Sequence, residues 1–367
     1  MEDTQPRPSV RQSSLHFWPH LGRFVRSLQG PMLAILGGML IGAVIMVLTG
    51  HDPLAAYAAM IRGAVGGQNL SNLASTLNRA VPIVGMGLAA AIAFRAGFFN
   101  IGGEGQMVLG AVGAALAAIY LPLPPFLLFP SAILVAVIVG GLYAWITAFF
   151  QFRYTVPLLI STLLLNYPAR FIASYLVSHP FRDVASGMAQ SFLVPEPARL
   201  PGLVSGTQLH AGLFITLGSL LLATFVINRT VVGYELRLTG LNPRFTEYGG
   251  VDLKQIGYRV MFASGAVAGL VGAIEVLGVH YRYVDTALVA PLYAWVGLMA
   301  ALLSGSRPLG VLLAGLFFAA VQTGGFGMER GAEVPRELSR VLQAVIIMLV
   351  AARGTFHFGN RDQEVEV

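Results

Sequence analysis

Ten apolar runs separated by short polar segments make up most of this chain of 367 residues. The runs cover residues 31–49, 81–98, 105–121, 126–150, 156–177, 211–228, 257–279, 291–304, 308–322 and 338–352. A helix of about 20 apolar residues crosses the hydrocarbon core of a bilayer. Because the bilayer offers no water to the backbone, such a segment bonds its own amides and carbonyls. The pattern predicts an all-α, polytopic membrane protein with about ten transmembrane helices.

Composition supports the same class of protein. Hydrophobic residues make up 56% and charged residues 11% of the chain, whereas soluble domains hold about 45–50% and about 25%. The net charge of +6 comes from arginines scattered between the apolar runs, so no basic face for nucleic acid is expected. The chain has no cysteine, and its seven histidines are dispersed, so we expect no metal site.

Basic residues predict the orientation of the chain in the membrane. With the N-terminus inside, 14 of the 23 lysines and arginines fall on the cytoplasmic side and 7 fall outside, as the positive-inside rule requires. We therefore expect cytoplasmic tails at 1–30 and 356–367 and a membrane domain at 31–355. Two longer polar segments connect the spans, an outer one at 178–210 and a cytoplasmic one at 229–256.

The stretch "FFNIGGEGQM" (98–107) interrupts the apolar pattern. Gly102, Gly103 and Gly105 disfavour a helix interior, so the helix is predicted to break there and a new one to begin at Glu104 and Gln106. A second break is predicted at 285–297, before a short span. Transporters place such breaks at corresponding positions of an inverted repeat, at the substrate site. For Glu104 two roles stay open, a helix cap paired with Arg95 or a substrate contact.

Other polar residues within the apolar runs are candidates for the substrate pathway. Glu275 follows a stripe of small residues at Ser264, Ala268 and Gly272, which predicts close helix packing. Its carboxylate could bind substrate, pair with an arginine or be protonated. Asn166 could recognise hydroxyls and base edges or join two helices. The aromatic residues Phe99 and Trp295 could stack on a base or anchor the chain at the interface.

The polar segment at 229–256 contains a short capped helix. Asn242 and Pro243 are a good helix start, and Gly249 and Gly250 end the helix six residues later. So short a helix is marginal alone and either docks on a partner or serves as a connector. The only lysine is Lys254, so the chain lacks a phosphate-binding P-loop. If ATP drives transport, another subunit must hydrolyse it.

Four stretches together resemble a known family. They are "AFRAGFFNIGGEGQMVLGA" (93–111), "ISTLLLNY" (160–167), "GYELRLTGLNPRFTEYGG" (233–250) and "SGAVAGLVGAIEVLG" (264–278). They resemble membrane permease subunits of bacterial ABC importers for nucleosides and simple sugars, within the ribose and branched-chain amino acid permease group. The family usually has a Gly-aromatic-Gly run before the span at 291–304, where this chain has Leu292 and Ala294.

The resemblance implies a transport subunit in the bacterial cytoplasmic membrane that is not itself an enzyme. Its implied partners are ATPase subunits that bind ATP and Mg²⁺, a second permease subunit, identical or different, an external binding protein or lipoprotein, and membrane lipid. The short helix would be the coupling helix that contacts the ATPase, through Asn242, Pro243, Arg244, Glu247 and Tyr248. The pathway candidates are Phe99, Asn100, Glu104, Gln106, Asn166, Glu275 and Trp295. The alternative is an ion-coupled transporter in which Glu104 or Glu275 carries a proton.

Overall fold

The computed structural model describes residues 18–67, 70–335 and 337–358. These residues form thirteen α-helices and no strand beyond two isolated bridges. The first six helices are α1 (Trp18–Leu48), α2 (Pro53–Val65), α3 (Ser71–Arg95), α4 (Gly103–Tyr120), α5 (Pro125–Tyr154) and α6 (Leu158–Ser178). The others are α7 (Gly212–Arg229), α8 (Val231–Leu241), α9 (Pro243–Tyr248), α10 (Leu253–Glu275), α11 (Tyr293–Leu303), α12 (Pro308–Ala332) and α13 (Glu337–Phe358).

Each of the ten predicted apolar runs falls on one of these helices, which confirms an all-α membrane protein. Within the described residues, five segments are long and apolar enough to cross a membrane. They are Ser71–Arg95, Pro125–Tyr154, Gly212–Arg229, Leu253–His280 and Pro308–Ala332. The count of ten spans stays a prediction, as does the inverted repeat.

Helix boundaries differ from the predicted ones where polar residues find partners inside the bundle. α3 begins at Ser71, although the predicted span began at 81. The reason is Arg79, whose guanidinium donates to Gln322 Oε1 of α12 at 3.3 Å and lies 5.5 Å from the centre of the Phe326 ring. Helix α12, which supplies these partners, extends to Ala332, past the predicted end at 322. The short apolar helix α2, which packs on α12, was not predicted.

The predicted tails are only partly described. α1 begins at Trp18, so residues 18–30, which the sequence assigned to the N-terminal tail, continue the first helix. α13 likewise continues to Phe358. Residues 1–17 and 359–367 of the predicted tails lie outside the described residues.

The small-residue stripe on α10 brings three helices into backbone contact. A Cβ atom at Gly265 or Gly269 would overlap the carbonyls of Gly140 and Ala136 in α5, and one at Gly272 would overlap the Met107 carbonyl in α4. The predicted close packing is confirmed. Helices α3, α4 and α5 therefore surround α10, which carries Ser264 and Glu275 into the centre of the bundle.

The segment between α6 and α7, predicted as the outer loop, folds back onto the chain after α10. Its Ser191, Val194 and Leu200 amides donate to the carbonyls of Tyr283, Tyr281 and Leu277 at 2.8–2.9 Å. His210 is buried beside Gly278, and burial lowers the pKa of its imidazole to about 4. The ring is therefore neutral at neutral pH, and Nδ1 accepts the Gly212 amide at 3.1 Å.

The absence of cysteine from the chain allows its orientation to be tested. Cysteines introduced at Val184 and Leu241, whose exposed fractions are 77% and 84%, should react with an impermeant thiol reagent from opposite sides of the membrane, Val184 from outside. Thr246 is fully buried and would be unsuitable. Labelling of both positions from one side would contradict the predicted orientation.

Candidate functional site

The first helix break is closed by a pair of buried side-chain amides. Asn100 and Gln106, on either side of the α4 N-terminus, exchange two hydrogen bonds of 2.9 and 3.0 Å. The Asn100 amide also donates to Ser264 Oγ of α10 at 2.8 Å, and Ser264 donates to the Ala89 carbonyl of α3 at 2.7 Å. The break predicted within 98–107 is present, but it covers 96–102, so Gly103 and Gly105 belong to the first turn of α4. Both amides hold the break between α3 and α10.

Helix α6 supplies the remaining partners of the break. Asn166 Oδ1 accepts the Gly105 amide at 2.8 Å, and its Nδ2 donates to the Ile101 carbonyl at 3.2 Å. The hydroxyl of Thr162 accepts the Ile101 amide at 3.3 Å. Since an unpaired backbone group is costly inside a membrane, these contacts stabilise the break. Of the two roles left open for Asn166, the structure shows the joining of two segments.

Close packing, and not conformational freedom, accounts for the predicted glycines Gly102, Gly103 and Gly105, whereas Gly97 has a φ of 80° in the left-handed region. Gly102 has a φ of −79°, which any residue adopts. A Cβ at Gly105 would lie 2.8 Å from Ala169 Cβ and 3.1 Å from Asn166 Cα, both on the rigid helix α6. A Cβ at Gly103 would meet only the flexible end of Met86, at 2.8 Å. Gly105 is therefore the position where a side chain would separate α4 from α6.

The second break lies between the end of α10 and the start of α11. Val276–His280 forms a single π-helical turn, and α11 begins at Tyr293 after a run of turns. Leu292, directly before α11, has a φ of 60°, in the left-handed region that favours glycine. Leu292 stands at a position where the family that this chain resembles usually has glycine. The predicted interruption at 285–297 is thus confirmed over 285–292, and its last residues belong to α11.

The first turns of both new helices pack against α3 near Met86. A Cβ atom added at Gly103 would contact Met86. A Cβ atom added at Gly297 would lie 2.6 Å from the Met86 Cβ and from the Gly87 backbone nitrogen. With a rise of 1.5 Å per residue, Met86 lies about 14 Å from the Arg95 end and about 22 Å from the other end of α3. With α3 crossing a bilayer whose hydrocarbon core is about 30 Å thick, the two helix starts would lie near its middle.

The carboxylate of Glu104 connects the first break to α6 and to the second break. Glu104, in the first turn of α4 and 2% exposed, pairs through Oε1 with Nε and Nη2 of Arg170 on α6. Its Oε2 accepts the indole N–H of Trp295, in the first turn of α11, at 3.2 Å. The expected pairing of Glu104 with Arg95 is wrong, because Arg95 ends α3 beside Arg237 and Arg307. The carboxylate instead binds one residue from each neighbouring element.

A small crevice separates the two breaks. Asn100, Ile101 and Gly103 line it on one side, Ala294 and Trp295 on the other, and Met86 forms part of its wall. Its free volume is about 10 Å³, which is room for about one water molecule. A nucleoside or sugar does not fit into this crevice.

The capped helix in the polar segment is present as predicted. Asn242 Oδ1 accepts the Phe245 amide at 3.1 Å at the start of α9, and Gly250, with a φ of 83°, follows its end. Phe245 and Tyr248 are 60% and 92% exposed. The preceding helix α8, which was not predicted, touches the end of α3, because a Cβ at Gly240 would overlap the Arg95 carbonyl.

Comparison with known proteins identifies the family. Residues 72–351 match the sequence model of the family described as the permease component of the branched-chain amino acid transport system. The chain belongs to this family of ABC permeases. It is therefore a multi-pass membrane permease, and a permease component is not itself an ATPase.

Three permeases are similar to this chain over most of their length. The guanosine ABC transporter permease protein NupP of Bacillus subtilis is 31% identical, with 89% of this chain and 94% of the relative covered. The glucose ABC transporter permease protein TsgB13 of Haloferax volcanii is 32% identical, with 87% and 86% covered. The nucleoside ABC transporter permease protein NupB of Lactococcus lactis is 28% identical, with 88% and 90% covered.

Two candidate residues of the permease lie away from the crevice. Phe99 is 52% exposed and packs on Phe94 near the end of α3, with ring centres 5.2 Å apart. Glu275 is 2% exposed at the end of α10, and among the described residues its Oε1 has no hydrogen-bond partner.

Arg170 is a residue of the site that was not among the predicted candidates. Its position within an apolar run was a signal, since intramembrane charges face protein or water.

Proposed function

We propose that this permease forms half of the translocation pathway of an ABC importer for nucleosides, with simple sugars as the second candidate. The observation that carries the proposal is the meeting of two broken helices near mid-membrane, joined by Glu104, Trp295 and Arg170. Broken helices at this depth are typical of substrate sites in transporters. The names of the guanosine and nucleoside relatives favour nucleosides, and that of the glucose relative keeps sugars as an alternative.

The complete importer would contain several further subunits. We expect a second permease, identical or different, two ATPase subunits that bind ATP and Mg²⁺, and an extracytoplasmic binding protein that delivers the substrate. The complex would lie in a bacterial cytoplasmic membrane with both termini of this chain in the cytoplasm. Membership of an ABC permease family favours this ATP-driven mechanism over ion coupling through Glu104 or Glu275.

The exposed surface of α9 supports a role in coupling to the ATPase. Phe245 and Tyr248 would otherwise leave large aromatic surfaces in water on a helix of only six residues. An open groove of about 460 Å³ lies beside α9, lined by Phe152, Glu247 and residues 250–254. Because α8 touches the end of α3 at Gly240, a movement of this segment would reach the first break directly.

The proposal predicts ATP-dependent nucleoside uptake. The permease is reconstituted into proteoliposomes with its ATPase and binding protein. It should accumulate labelled guanosine only when ATP is present on the side of the membrane where the ATPase subunits lie. Replacing Glu247 and Tyr248 by Ala should abolish most uptake and substrate-stimulated ATP hydrolysis, since these side chains lie on the exposed surface of α9.

The matched control is Val232→Ala with Tyr234→Ala on the adjacent helix α8, whose side chains are also exposed but lie outside α9. This control should keep parental uptake. Uptake of glucose without nucleoside uptake would select the sugar alternative. Full stimulated hydrolysis in the Glu247 and Tyr248 variant would remove the coupling assignment.

A further inference from the structure

We propose that Arg170 lines the translocation pathway and binds the acceptor edge of a neutral purine base, an inference that rests on the proposed nucleoside transport. Arg170 lies on α6 next to Ala169, the residue that contacts Gly105 of α4. It is therefore at the level of the two helix starts, near mid-membrane. Its side chain is nevertheless 39% exposed.

An exposed guanidinium at this depth cannot face lipid at low cost. The exposed part of Arg170 must therefore face a water-filled passage or a subunit that encloses one. The neighbouring side chain Tyr167 is 55% exposed on the same helix, and the guanidinium carbon lies 5.7 Å from the centre of its ring. Together they form a polar and aromatic patch on the exposed surface of α6, next to the exposed apolar side chains of Leu164 and Phe171.

The charge of Arg170 is already balanced. Buried Glu104 binds Nε and Nη2, whereas Nη1 has no partner in the part of the chain that the structure describes. A donor in a pair without net charge suits an uncharged ligand with acceptor atoms better than a phosphate ester. The site should therefore accept nucleosides and exclude nucleotides.

The shape of the donor group selects among the bases. A guanidinium matches the O6 and N7 acceptors of guanine, which lie on one edge of the base, and hypoxanthine has the same two atoms. Adenine presents an amino donor in place of O6. The exposed Tyr167 ring offers a stacking surface for a planar base, which a sugar alone cannot use. We infer a preference for guanosine and inosine over adenosine at this step.

The sharpest test is R170K in the complete complex. Lysine keeps the charge for Glu104 but loses the planar fork. The ratio of guanosine to adenosine transport rates, measured with the unaltered binding protein at saturating substrate, should fall about tenfold, as expected for loss of one bidentate base contact. The control is R153K, because Arg153 also lies over a tyrosine ring, at 5.6 Å, but at the end of α5. R153K should keep the parental ratio.

The double variant E104Q/R170Q separates recognition from folding. Two amides can still bind each other, so no charge is left unpaired in the bundle. If the ion pair served folding alone, this variant would transport both nucleosides at the parental ratio, and that result overturns the inference. An unchanged ratio in R170K overturns it as well, while nucleoside uptake by the parent leaves the proposed function standing. Absence of nucleoside uptake by the parent refutes the proposed function and the inference together.

Discussion

Replacing Gly105 by Leu should abolish transport while leaving the permease in the membrane. Even a Cβ atom added at this position would lie only 2.8 Å from Ala169 Cβ and 3.1 Å from Asn166 Oδ1. The longer Leu side chain must therefore push α6 away from α4. Overpacking by even a few methylenes costs about 1–3 kcal/mol. The shift also breaks the hydrogen bond from the Gly105 amide to Asn166 and alters the distance between Arg170 and Glu104. Uptake in proteoliposomes, normalised to inserted protein, measures the effect.

Two glycines provide matched controls for this experiment. Gly218 of α7 is exposed, and a Cβ there would meet nothing within 4 Å, so Gly218→Leu should transport normally. Gly103→Ala should also be tolerated, because only the flexible end of Met86 has to move. Normal transport by Gly105→Leu would show that α4 and α6 need not stay in contact at the break.

Removing the carboxylate of Glu104 should have the largest effect on stability among single substitutions at the site. Glu104→Ala leaves Arg170 without its ion pair and the Trp295 indole without an acceptor. Breaking a buried ion pair in this way costs about 3–5 kcal/mol, and the partial exposure of Arg170 places this pair at the lower end. We expect a clear drop in the thermal denaturation midpoint of the detergent-solubilised permease and loss of uptake.

Glu104→Gln and Glu329→Ala make the result specific. The single amide oxygen of Gln can accept from Trp295 or from Arg170 but not from both, so the midpoint of Glu104→Gln should lie between those of Glu104→Ala and the parent, with part of the uptake retained. Glu329 is an exposed carboxylate near the end of α12, and Glu329→Ala should leave the midpoint unchanged. A stable Glu104→Gln variant without any uptake would revive the role of Glu104 as a proton carrier. A parental midpoint in Glu104→Ala would show that the ion pair contributes little to the fold.

The helix break at "FFNIGGEGQM" could be predicted because its cause is local. Glycines and polar residues within an apolar run disfavour a continuous helix wherever the run is placed, and α3 does end at Arg95 before α4 begins at Gly103. The capped helix α9 was predictable for the same reason, since Asn242, Pro243 and the following glycines act on adjacent residues. The outer and inner segments follow from the spacing of the apolar runs.

The partners of the polar residues could not be predicted in this way. Glu104 binds Arg170 and Trp295, which are 66 and 191 positions away in the chain, while Arg95, close in sequence, has no part in the pair. Which charges meet depends on how α4, α6 and α11 pack. Their packing depends in turn on the close contacts made by glycines such as Gly105 and Gly297.

Apolar periodicity, basic-residue distribution and helix-stop residues were sufficient for an all-α membrane protein with interrupted helices, because these signals act on neighbouring residues and on the solvent around them. Three results depended on contacts between distant segments. Asn166 stabilises the break, Arg79 of α3 binds α12, and Glu104 of α4 binds both Arg170 of α6 and Trp295 of α11. A buried polar group is stabilised by whichever partner the packed bundle brings within hydrogen-bond distance. The spacing of residues in the sequence does not determine that distance.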